Sequence, residues 1–534
     1  MGNAESNVDF DIIQIGHGPV GKASSLFFSR LGWKVGVFER FAEIYPLPRA
    51  VCIDHELFRV LHAADMGDIA DKVTSDAPVY RWYNVEWKEL LAIDWTAGSV
   101  SGGGEVNFVH QPSFEKAMDA KINGDRNISV TFGAEAVGIV QDADKVIVTT
   151  KDSKTGKTST HTARYVIGID GANSFVRQSL KIGQKDLGFE ADWLVIDFAL
   201  NNGLTARDLG IPGCGQYCNP KRPTTIVPGG IDNGRVCRRW EFMRLPQETR
   251  EEMLEESKVW ELLGQWIKPD QGELVRHTVY TFRSLIADTW QDKRIFLAGD
   301  AAHVMPPFMG QGMCAGLRDV WNLSWKLDRV MRGKADASLL DTYQPERAPH
   351  VTDIIHASIF LGSIICIPDE QKAAERDAMF LGGTAPPPAP FPKLTDGFLE
   401  RDDQGAVIVP AGDLSPAGAV RHHGKTGRLD SFVKPGFNLF LSPTLSEKDF
   451  DVASDTVCKA QNVNIIHVAE RANAHDDEIG DTQGQLLRFM KQHGAEALLV
   501  RPDFYLFGGA KDAERLNAML NNFGKQAKQH GLHK

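Results

Sequence analysis

The stretch Ile12–Arg40, IIQIGHGPVGKASSLFFSRLGWKVGVFER, decides the fold expected for this chain. An apolar run ends in three spaced glycines, Gly16, Gly18 and Gly21, which are followed by a helical pattern and a second apolar run that ends at Glu39. Strand, glycine turn, helix and strand in this order open a doubly wound parallel sheet. The stretch therefore predicts an α/β domain with a Rossmann-like first turn.

Each residue type in this motif has a physical role in binding a pyrophosphate. Gly16 permits the tight turn, Gly18 lets the ligand approach the backbone, and Gly21 lets the helix pack on the strand. The helix N-terminus directs its positive dipole at the phosphates, and Glu39 is placed to accept hydrogen bonds from a ribose diol. The motif does not distinguish FAD from NAD. The predicted contacts here are Gly16, Gly18, Pro19, Val20, Gly21, Glu39 and Arg40.

Two later strand ends carry an acidic residue beside a glycine. In ARYVIGIDGANSFVRQSL the strand ends at Asp170, with Arg177 on the next helix, and in RIFLAGD it ends at Gly299 and Asp300. The first of these, taken alone, is also explained by a capping Asp. Two such ends beyond a complete dinucleotide motif indicate one long ligand, which fits FAD better than NAD. Asp300 is placed to hold ribityl hydroxyls, because open α/β sheets bind ligands at the strands' carboxyl ends.

The segment after Asp300 is poor in bulky side chains and leads into a helix near Gly312. Its backbone lets a flat ring lie against peptide groups, and the helix dipole favours negative charge on a reduced flavin. The ring is therefore expected to lie on the backbone that follows Pro306.

Composition excludes several classes of partner. The formal net charge of −11 argues against a nucleic-acid partner. The seven cysteines form no CxxC pair, so neither a metal site nor a disulfide framework is predicted, and a reducing cytoplasm is the expected compartment. The longest apolar run, 357–367, is too short to span a bilayer, so no stable membrane association is expected.

The strand and helix patterns predict a discontinuous organisation. Residues 1–185 and 290–366 form the FAD-binding domain, and 186–289 form an inserted, mainly antiparallel β domain for the substrate. Residues 367–436, which contain GGTAPPPAPFP, are predicted to be an irregular linker. The βαβ-like alternation over 437–534 predicts a small C-terminal α/β domain.

The three motifs, in this order and spacing, resemble those of the single-component FAD-dependent aromatic monooxygenases. The stretches YPLPRAVCIDHE, HQPSFEKAM, GDAAHVMPPFMGQGMCAGLRDVWNLSWKL, LLDTYQPERAPH and GDTQGQLLRFMKQHGAEALLVRPD resemble 3-(3-hydroxyphenyl)propionate hydroxylase-like members and their phenol- and resorcinol-hydroxylating relatives. The resemblance implies FAD as cofactor, NADH or NADPH and O₂ as co-substrates, and ortho hydroxylation of a small phenolic substrate through a flavin C4a-hydroperoxide. It also implies a homo-oligomer, a dimer, and a thioredoxin-like C-terminal domain without redox cysteines.

The resemblance further assigns individual residues. Arg49 and Gln111 are implied to contact FAD, and the residues implied to border the flavin ring are Pro306, Gly310, Gln311, Gly312, Met313 and Cys314. Cys314 stands where most relatives have Asn. Cys is tolerated there if the backbone N–H makes the contact, whereas a contact that needs the side-chain amide would shift the flavin's potential or position. Asp54 is implied to be the catalytic base that favours phenolate, although an Asp before HELFRVLHAADM is also a good helix N-cap. Tyr280 matches a substrate-side tyrosine, and a buried tyrosine of the β core is the alternative.

Two other functions stay open from the sequence. One is a tailoring oxygenase of the same fold that acts on a polyketide-like aromatic by hydroxylation or Baeyer–Villiger insertion. The other is a non-catalytic flavin-binding or redox-sensing protein. Comparing simple with polycyclic phenols as stimulants of NADH oxidation distinguishes a small-phenol hydroxylase from the tailoring oxygenase. Phenol-dependent NADH oxidation with formation of hydroxylated product excludes the non-catalytic protein.

Overall fold

The structure is a computed structural model that describes residues 8–44, 49–96, 98–387, 390–470, 475 and 478–532. The described residues divide between two compact units. Unit 1 falls within Met1–Ala97, Gly104–Arg318 and Thr352–Pro390, and unit 2 within Gly98–Gly103, Asp319–Val351 and Phe391–Lys534.

The strands, in chain order, are β1 Phe10–Ile15, β2 Val35–Glu39, β3 Cys52–Asp54, β4 Thr74–Asp76, β5 Val79–Tyr83, β6 Glu89–Asp94, β7 Val106–Val109, β8 Ile128–Phe132, β9 Ala134–Gln141, β10 Val146–Asp152, β11 Thr158–Gly168, β12 Gln184–Leu200, β13 Gly215–Tyr217, β14 Thr224–Asp232, β15 Arg235–Met243, β16 Gly272–Ala287, β17 Gln291–Asp292, β18 Ile295–Leu297, β19 His303–Val304, β20 Ala419–His422, β21 Lys425–Arg428, β22 Asn438–Leu441, β23 Asn464–Glu470, β24 Ile479–Asp481, β25 Ala497–Val500 and β26 Leu506–Ala510.

The α-helices, in chain order, are α1 Pro19–Arg30, α2 His55–Ala63, α3 Gly67–Val73, α4 Gln111–Asn123, α5 Phe175–Ser179, α6 Arg250–Leu254, α7 Glu256–Leu263, α8 Gly312–Met331, α9 Tyr343–Ile365, α10 Glu370–Leu381, α11 Val452–Gln461, α12 Gln485–Gln492 and α13 Ala513–Gln529. Short 3₁₀ turns lie at Gly299–Ala301 and Pro307–Met309.

The first sheet of unit 1 has the order β17-β18-β11-β1-β2-β8, with β10 and β9 extending from β11. The strands from β18 to β8 pair in parallel. The carboxyl ends of β1, β11 and β18 therefore lie at one edge of the sheet, where Gly16, Asp170 and Gly299 follow them. This arrangement confirms the predicted doubly wound sheet, because all three motifs meet at the edge where such sheets bind ligands.

The second sheet of unit 1 has the order β19-β16-β12-β15-β14-β13-β5-β6 and is mainly antiparallel, as predicted. Side chains alternate between its faces. One face carries the apolar core that includes Ile196, Trp240 and Phe242, which packs with residues of α6 and α7. The opposite face, called the inner face below, carries Asp197 and Glu241. β5 and β6 belong to this sheet although they lie outside the range 186–289 expected for it.

Unit 2 contains a seven-stranded sheet with the order β21-β20-β24-β23-β22-β25-β26. Its β22 pairs in parallel with β23 and antiparallel with β25, and Phe437, Phe507 and Phe523 form part of the core. Cys458 is the single cysteine of 437–534, so a redox pair within this segment is excluded. β20 and β21, and α10 of unit 1, all lie within 367–436, which is therefore not irregular throughout as the sequence predicted. The domain boundaries themselves stay a prediction.

One helical segment meets the length and composition of a membrane span. Residues Ala337–Ile365 have a window of mean hydropathy 1.3, of which 39% is buried inside the protein. Core helices of globular proteins pass the same test, so this single segment is weak evidence for a membrane span. The expectation of no membrane association therefore stays a prediction.

Candidate active site

The first glycine turn leaves room for a ligand at one position only. Gly16 has φ +104°, and a Cβ there would lie 2.4 Å from the carbonyl oxygen of Ile169. A Cβ at Gly21 would lie 2.6 Å from the Gly16 oxygen, whereas one at Gly18 would meet nothing within 4 Å. Gly18 gives α1 no side-chain cap, and Pro19 is its first residue. The open backbone beside an uncapped helix N-terminus fits a pyrophosphate.

Glu39 supports this turn from the end of β2. Its carboxylate accepts hydrogen bonds from the backbone N–H of His17 at 2.8 Å and of Phe41 at 3.0 Å. Arg40 is exposed, and its guanidinium lies 4.7 Å from the centroid of the Phe41 ring. Contacts of Glu39 and Arg40 with the cofactor stay predictions.

A buried charged network, which sequence reasoning missed, lies behind the turn. The Lys22 amino group on α1 lies 3.2 Å from Glu115 Oε2 and 2.9 Å from Asp119 Oδ2 on α4. Asp119 Oδ1 also lies 2.8 Å from His17 Nε2. Lys22 has no exposed surface. The available signals were a lysine on the apolar face of α1 and two acids spaced i,i+4 on α4, which together indicate a buried ion pair.

Gln111 continues this network to the segment before β3. Its Nε2 donates to Glu115 Oε1 at 2.6 Å, and its Oε1 accepts from the backbone N–H groups of Arg49 and Ala50 at 3.0 and 2.5 Å. Gln111 therefore holds residues 49–50 in place, and its contact with FAD stays a prediction. The Arg49 side chain is exposed, and its charge acts on the pKa of Asp300, so the structure brings these two predicted residues together.

The second motif is tied to the third by Arg177. The Arg177 guanidinium donates to the carbonyl oxygens of Ala301 at 3.1 Å and Ala172 at 2.9 Å. Asp170 Oδ2 accepts from the backbone N–H of Val176 at 3.1 Å. Burial raises the pKa of Asp170, although hydrogen bonds from Ser174 and Val176 oppose this effect. Asp170 and Arg177 both lie at the edge of the sheet where the three motifs meet, and their contacts with FAD stay predictions.

Asp300 presents an exposed carboxylate at the carboxyl end of β18. The side chain is solvent-accessible, yet surrounding protein desolvates it enough to raise its pKa, against the charges of His303 and Arg49. Within the described ranges no donor hydrogen-bonds to it. A carboxylate with free acceptor positions at a strand's carboxyl end fits the hydroxyl groups of a ribityl chain.

The start of α1 and the Gly299 turn both pack closely against Gly316 of α8. A Cβ at Gly316 of α8 would lie 2.8 Å from Val20 Cγ2 and 3.0 Å from Gly299 Cα. Gly299 has φ +60°, a conformation that favours glycine. Only glycine at 316 therefore allows α8 to pack on the start of α1.

The segment predicted to border the flavin ring lies against β3. Gly310 has φ +65°, and a Cβ there would lie 2.4 Å from Cys52 Sγ. The Pro306 oxygen accepts from Ser358 Oγ at 2.9 Å. A Cβ at Gly312, the first residue of α8, would have Met305 Cγ at 3.9 Å as its nearest neighbour, so this backbone is open to a ring. Gln311 and Met313, on either side of Gly312, are buried.

Cys314 is turned into the protein. Its side chain is fully buried, and Sγ lies 3.8 Å from the carbonyl oxygen of Cys52. The side chain therefore contacts the backbone of β3, which favours the alternative in which any contact with the flavin comes from the Cys314 backbone.

Asp54 has both carboxylate oxygens engaged. Oδ1 accepts from the backbone N–H of Leu57 at 3.0 Å, which is the helix N-cap expected as the alternative. Oδ2 accepts from Arg318, which also donates to Glu56 Oε2 at 2.5 Å and Gln311 Oε1 at 2.9 Å. Burial raises the pKa of Asp54, but Arg318 and the other partners outweigh it and leave the pKa below its ordinary value. A base role for Asp54 stays a prediction.

The inner face of the second sheet carries buried charges beside Cys52. Arg239 binds Asp197 through Nε and Nη2, at 2.7 and 3.0 Å, and Arg276 Nε lies 3.9 Å from Asp197. Glu241 Oε1 lies 3.8 Å from Arg239 Nη1. The charge of Glu241 contributes to the raised pKa of Cys52, whose Sγ is 3.6 Å from the Gly310 oxygen. The charged face therefore borders the segment predicted to hold the ring.

Tyr280 lies on the same face. It pairs across the sheet with Trp193, and its ring centroid is 4.9 Å from the Arg276 guanidinium. Tyr280 is half-buried, so the fully buried alternative does not describe it. Its contact with substrate stays a prediction.

These features together fit FAD. The open Gly18 backbone, the accessible Asp300 carboxylate and the bare Gly310–Gly312 segment follow three strands at one sheet edge and offer places for pyrophosphate, ribityl chain and ring. Residues 9–358 match the family described as FAD binding domain. A probable NADH-specific resorcinol 4-hydroxylase is 34% identical to this chain over 95% of its length, which decides the family. The chain belongs to the FAD-dependent aromatic hydroxylases.

Relatives of this flavoprotein hydroxylase cover almost its whole length. It is 34% identical over 516 residues to a probable NADH-specific resorcinol 4-hydroxylase of Rhodococcus jostii. The aligned region covers 95% of this chain and 93% of that protein. It is 28% identical over 513 residues to a 3-(3-hydroxy-phenyl)propionate/3-hydroxycinnamic acid hydroxylase of Escherichia coli, over 92% of this chain and 90% of that protein. Residues 412–526 match the HcaD C-terminal domain.

Solved structures support the fold of the hydroxylase. The flavin-dependent monooxygenase PieE, in complex with FAD and substrate, has a TM-score of 0.78 at 18% identity and covers 97% of this chain and 99% of that one. Aklavinone-11 hydroxylase, in complex with FAD and aklavinone, has a TM-score of 0.76 at 22% identity with the same coverage. The predictions of fold class, enzyme class, FAD and NAD(P)H are confirmed.

Proposed function

We propose that this hydroxylase uses NADH and O₂ to hydroxylate a small, single-ring phenol ortho to an existing hydroxyl group. The observation that carries the proposal is the polar inner face at Asp197, Arg239, Glu241 and Tyr280, next to the segment predicted to border the flavin. A polar wall of this kind orients hydroxyl groups, whereas an extended apolar ligand gains little from it. The likeness to the resorcinol 4-hydroxylase supports the same substrate class.

Aromatic packing beside this face favours a small substrate over a polycyclic one. Phe308 packs edge-on against Phe189 and Trp193, with ring centroids 5.6 and 5.7 Å apart. Trp193 and Phe308 are buried in one cluster with Trp82. These side chains fill the region next to Tyr280 with protein, and they exclude water from the substrate side of the site.

The chain's own groups bind and orient the substrate. Tyr280 is placed to hydrogen-bond a substituent of the substrate's ring. The Arg276 charge over the Tyr280 ring makes the Tyr280 hydroxyl a better hydrogen-bond donor. Reduced FAD supplies the activated oxygen that is transferred to the ring. The aromatic side chains of Phe308, Phe189 and Trp193 limit the access of water during this transfer, which protects against loss of the activated oxygen as H₂O₂.

We also propose a cytoplasmic homodimer without a nucleic-acid partner. The net charge of −11 supports the absence of a nucleic-acid partner, and the seven free cysteines support a reducing compartment. The dimer rests on the resemblance to the family. Sedimentation equilibrium of the FAD-loaded enzyme tests it, since a monomer at all concentrations contradicts the dimer.

The test of the proposed function is a substrate panel on purified, FAD-loaded enzyme. NADH oxidation, hydroxylated product and H₂O₂ are measured with resorcinol, 3-(3-hydroxyphenyl)propionate and a polycyclic phenol. We expect single-ring phenols to stimulate NADH oxidation and to yield a catechol-type product in near-equal amount. Product only from the polycyclic phenol supports the tailoring alternative, and no product from any phenol supports the non-catalytic one.

A further inference from the structure

We propose that Glu241 is a further catalytic residue, the group that accepts the proton of the phenolic hydroxyl. The inference rests on the proposed function, because it needs a phenolic substrate against the inner face. It adds a proton acceptor to Asp54 and Tyr280, the two catalytic residues expected from the sequence.

The register of the sheet fixes the side of Glu241. It pairs with Val195 on β12 and Thr225 on β14, and its neighbours Trp240 and Phe242 both belong to the apolar core of the opposite face. Because side chains alternate along a strand, Glu241 lies on the inner face. Its row lies between the row of Asp197 and Arg239 and the row that contains Trp193 and Tyr280.

The carboxylate of Glu241 is not committed to a protein donor. Within the described part of the chain no group hydrogen-bonds to it, and its nearest cation is Arg239 Nη1 at 3.8 Å. That guanidinium already binds Asp197 through Nε and Nη2 and donates from Nη1 to the Arg49 oxygen at 2.5 Å. Asp54, in contrast, uses both oxygens for Leu57 and Arg318. Glu241 thus keeps acceptor positions for a ligand.

Burial makes this free carboxylate costly unless a ligand uses it. Glu241 is 7% exposed, and an ionised carboxylate without hydrogen bonds is among the least favourable groups to bury. Functional sites retain such groups because they act on the bound molecule. Cys52 connects the position to the ring segment, since its thiol is affected by Glu241 and also contacts the Gly310 oxygen.

The electrostatics suit proton acceptance. Burial raises the pKa of Glu241, Arg239 and Arg276 lower it, and Asp197 raises it, with a net shift above the ordinary value. A phenol has a pKa of about 10, so a desolvated carboxylate with a raised pKa is a better match to it than one with a lowered pKa. In the step, the phenolic O–H bond breaks, an O–H bond forms on the carboxylate, and the electron pair stays on the phenolate oxygen. The ring becomes electron-rich without any change in oxidation state.

The test compares Glu241→Gln with wild type and with the matched control Glu273→Gln, whose carboxylate lies on the exposed end of β16. FAD content, KM, kcat for product and its pH profile are measured with phenols of decreasing pKa. We expect Glu241→Gln to retain FAD and KM, and to lose about 10²-fold in kcat with the least acidic phenol. The loss should shrink as the phenol becomes more acidic, and the control should behave as wild type.

Two further measurements keep the proposal falsifiable. Glu241→Asp, which keeps a carboxylate, should recover part of the rate lost in Glu241→Gln. A nitrophenol bound to wild type should be more ionised, by its visible absorption, than when bound to Glu241→Gln at the same pH. An equal loss with every phenol, an unchanged pH profile, or equal ionisation in both proteins overturns the role of Glu241. Absence of product from wild type with every phenol instead overturns the proposed function.

Discussion

Removing the Arg318 side chain should destabilise unit 1 strongly. The buried guanidinium binds Asp54, Glu56 and Gln311, so Arg318→Met leaves two buried carboxylates without their cation. Breaking a buried ion pair from one side costs about 3–5 kcal/mol, and here two acids lose the same partner. We expect a loss at the upper end of that range and release of FAD, because Gln311 directly precedes α8.

The assay is urea unfolding of the FAD-free proteins, followed by far-UV circular dichroism at several pH values. Release of FAD is measured separately by flavin fluorescence. Arg283→Met is the matched control, because Arg283 and Glu190 form an ion pair on the surface, and such pairs contribute little. The triple variant Asp54→Asn, Glu56→Gln, Arg318→Met should recover most of the loss, since replacing a whole buried ion cluster is nearly neutral.

The pH dependence gives a second readout. In wild type the pKa of Asp54 is lowered, so its contribution to stability is present above the unfolded pKa and is lost as the pH falls. In Arg318→Met the Asp54 carboxylate is buried without its cation, so we expect its pKa to lie above the ordinary value. The loss of stability relative to wild type should therefore shrink as the pH falls. A loss below about 1 kcal/mol at neutral pH, or a loss that does not shrink on acidification, refutes the reasoning.

Three further outcomes follow from other sites. Lys22→Met should weaken FAD retention and lower the urea midpoint of unfolding, because the acids on α4 lose their buried cation. The control Lys116→Met, at an exposed lysine of the same helix α4, should change neither FAD content nor the urea midpoint. Cys314→Asn should retain FAD and change turnover little, because the thiol faces a backbone carbonyl; a marked change in the reduction rate measured by stopped flow contradicts this. Burial raises the pKa of Glu400 to about 7 despite Arg515, so the folded state binds the extra proton between the unfolded pKa of 4.5 and about 7. The free energy of unfolding should therefore fall as the pH rises through this window. A Glu400→Gln variant whose urea midpoint depends on pH as steeply as that of wild type contradicts this prediction.

The cofactor half of the site was predictable because its signals are local. Gly16 and Gly21 are required by backbone geometry within one turn, and Gly18 leaves its backbone open to a ligand, as the motif demands. Asp170 and Asp300 follow strands that could be read from apolar runs. Each of these inferences needed only neighbours in sequence and the rule that parallel strands end at one edge.

The remainder of the site depends on contacts that no local pattern encodes. Asp54 pairs with Arg318, which lies 264 residues later in the chain, and the acids that pair with Lys22 lie on α4. Glu241 was missed because RRWEF reads as an ordinary alternating strand, and only the sheet partners reveal which face is next to Cys52. The residues that could not be predicted from the sequence are therefore the buried charges whose partners lie far away in the chain.

Val20 leaves the ribosome long before Gly299 and Gly316, the residues with which its packing is completed. During this interval β11 has no β18 to pair with, and an open strand edge can recruit a strand of another chain. Contacts between residues so distant in sequence also form slowly. We therefore expect the nascent first half to need protection from aggregation, and an N-terminal fragment that stops before Ile295 should not retain FAD.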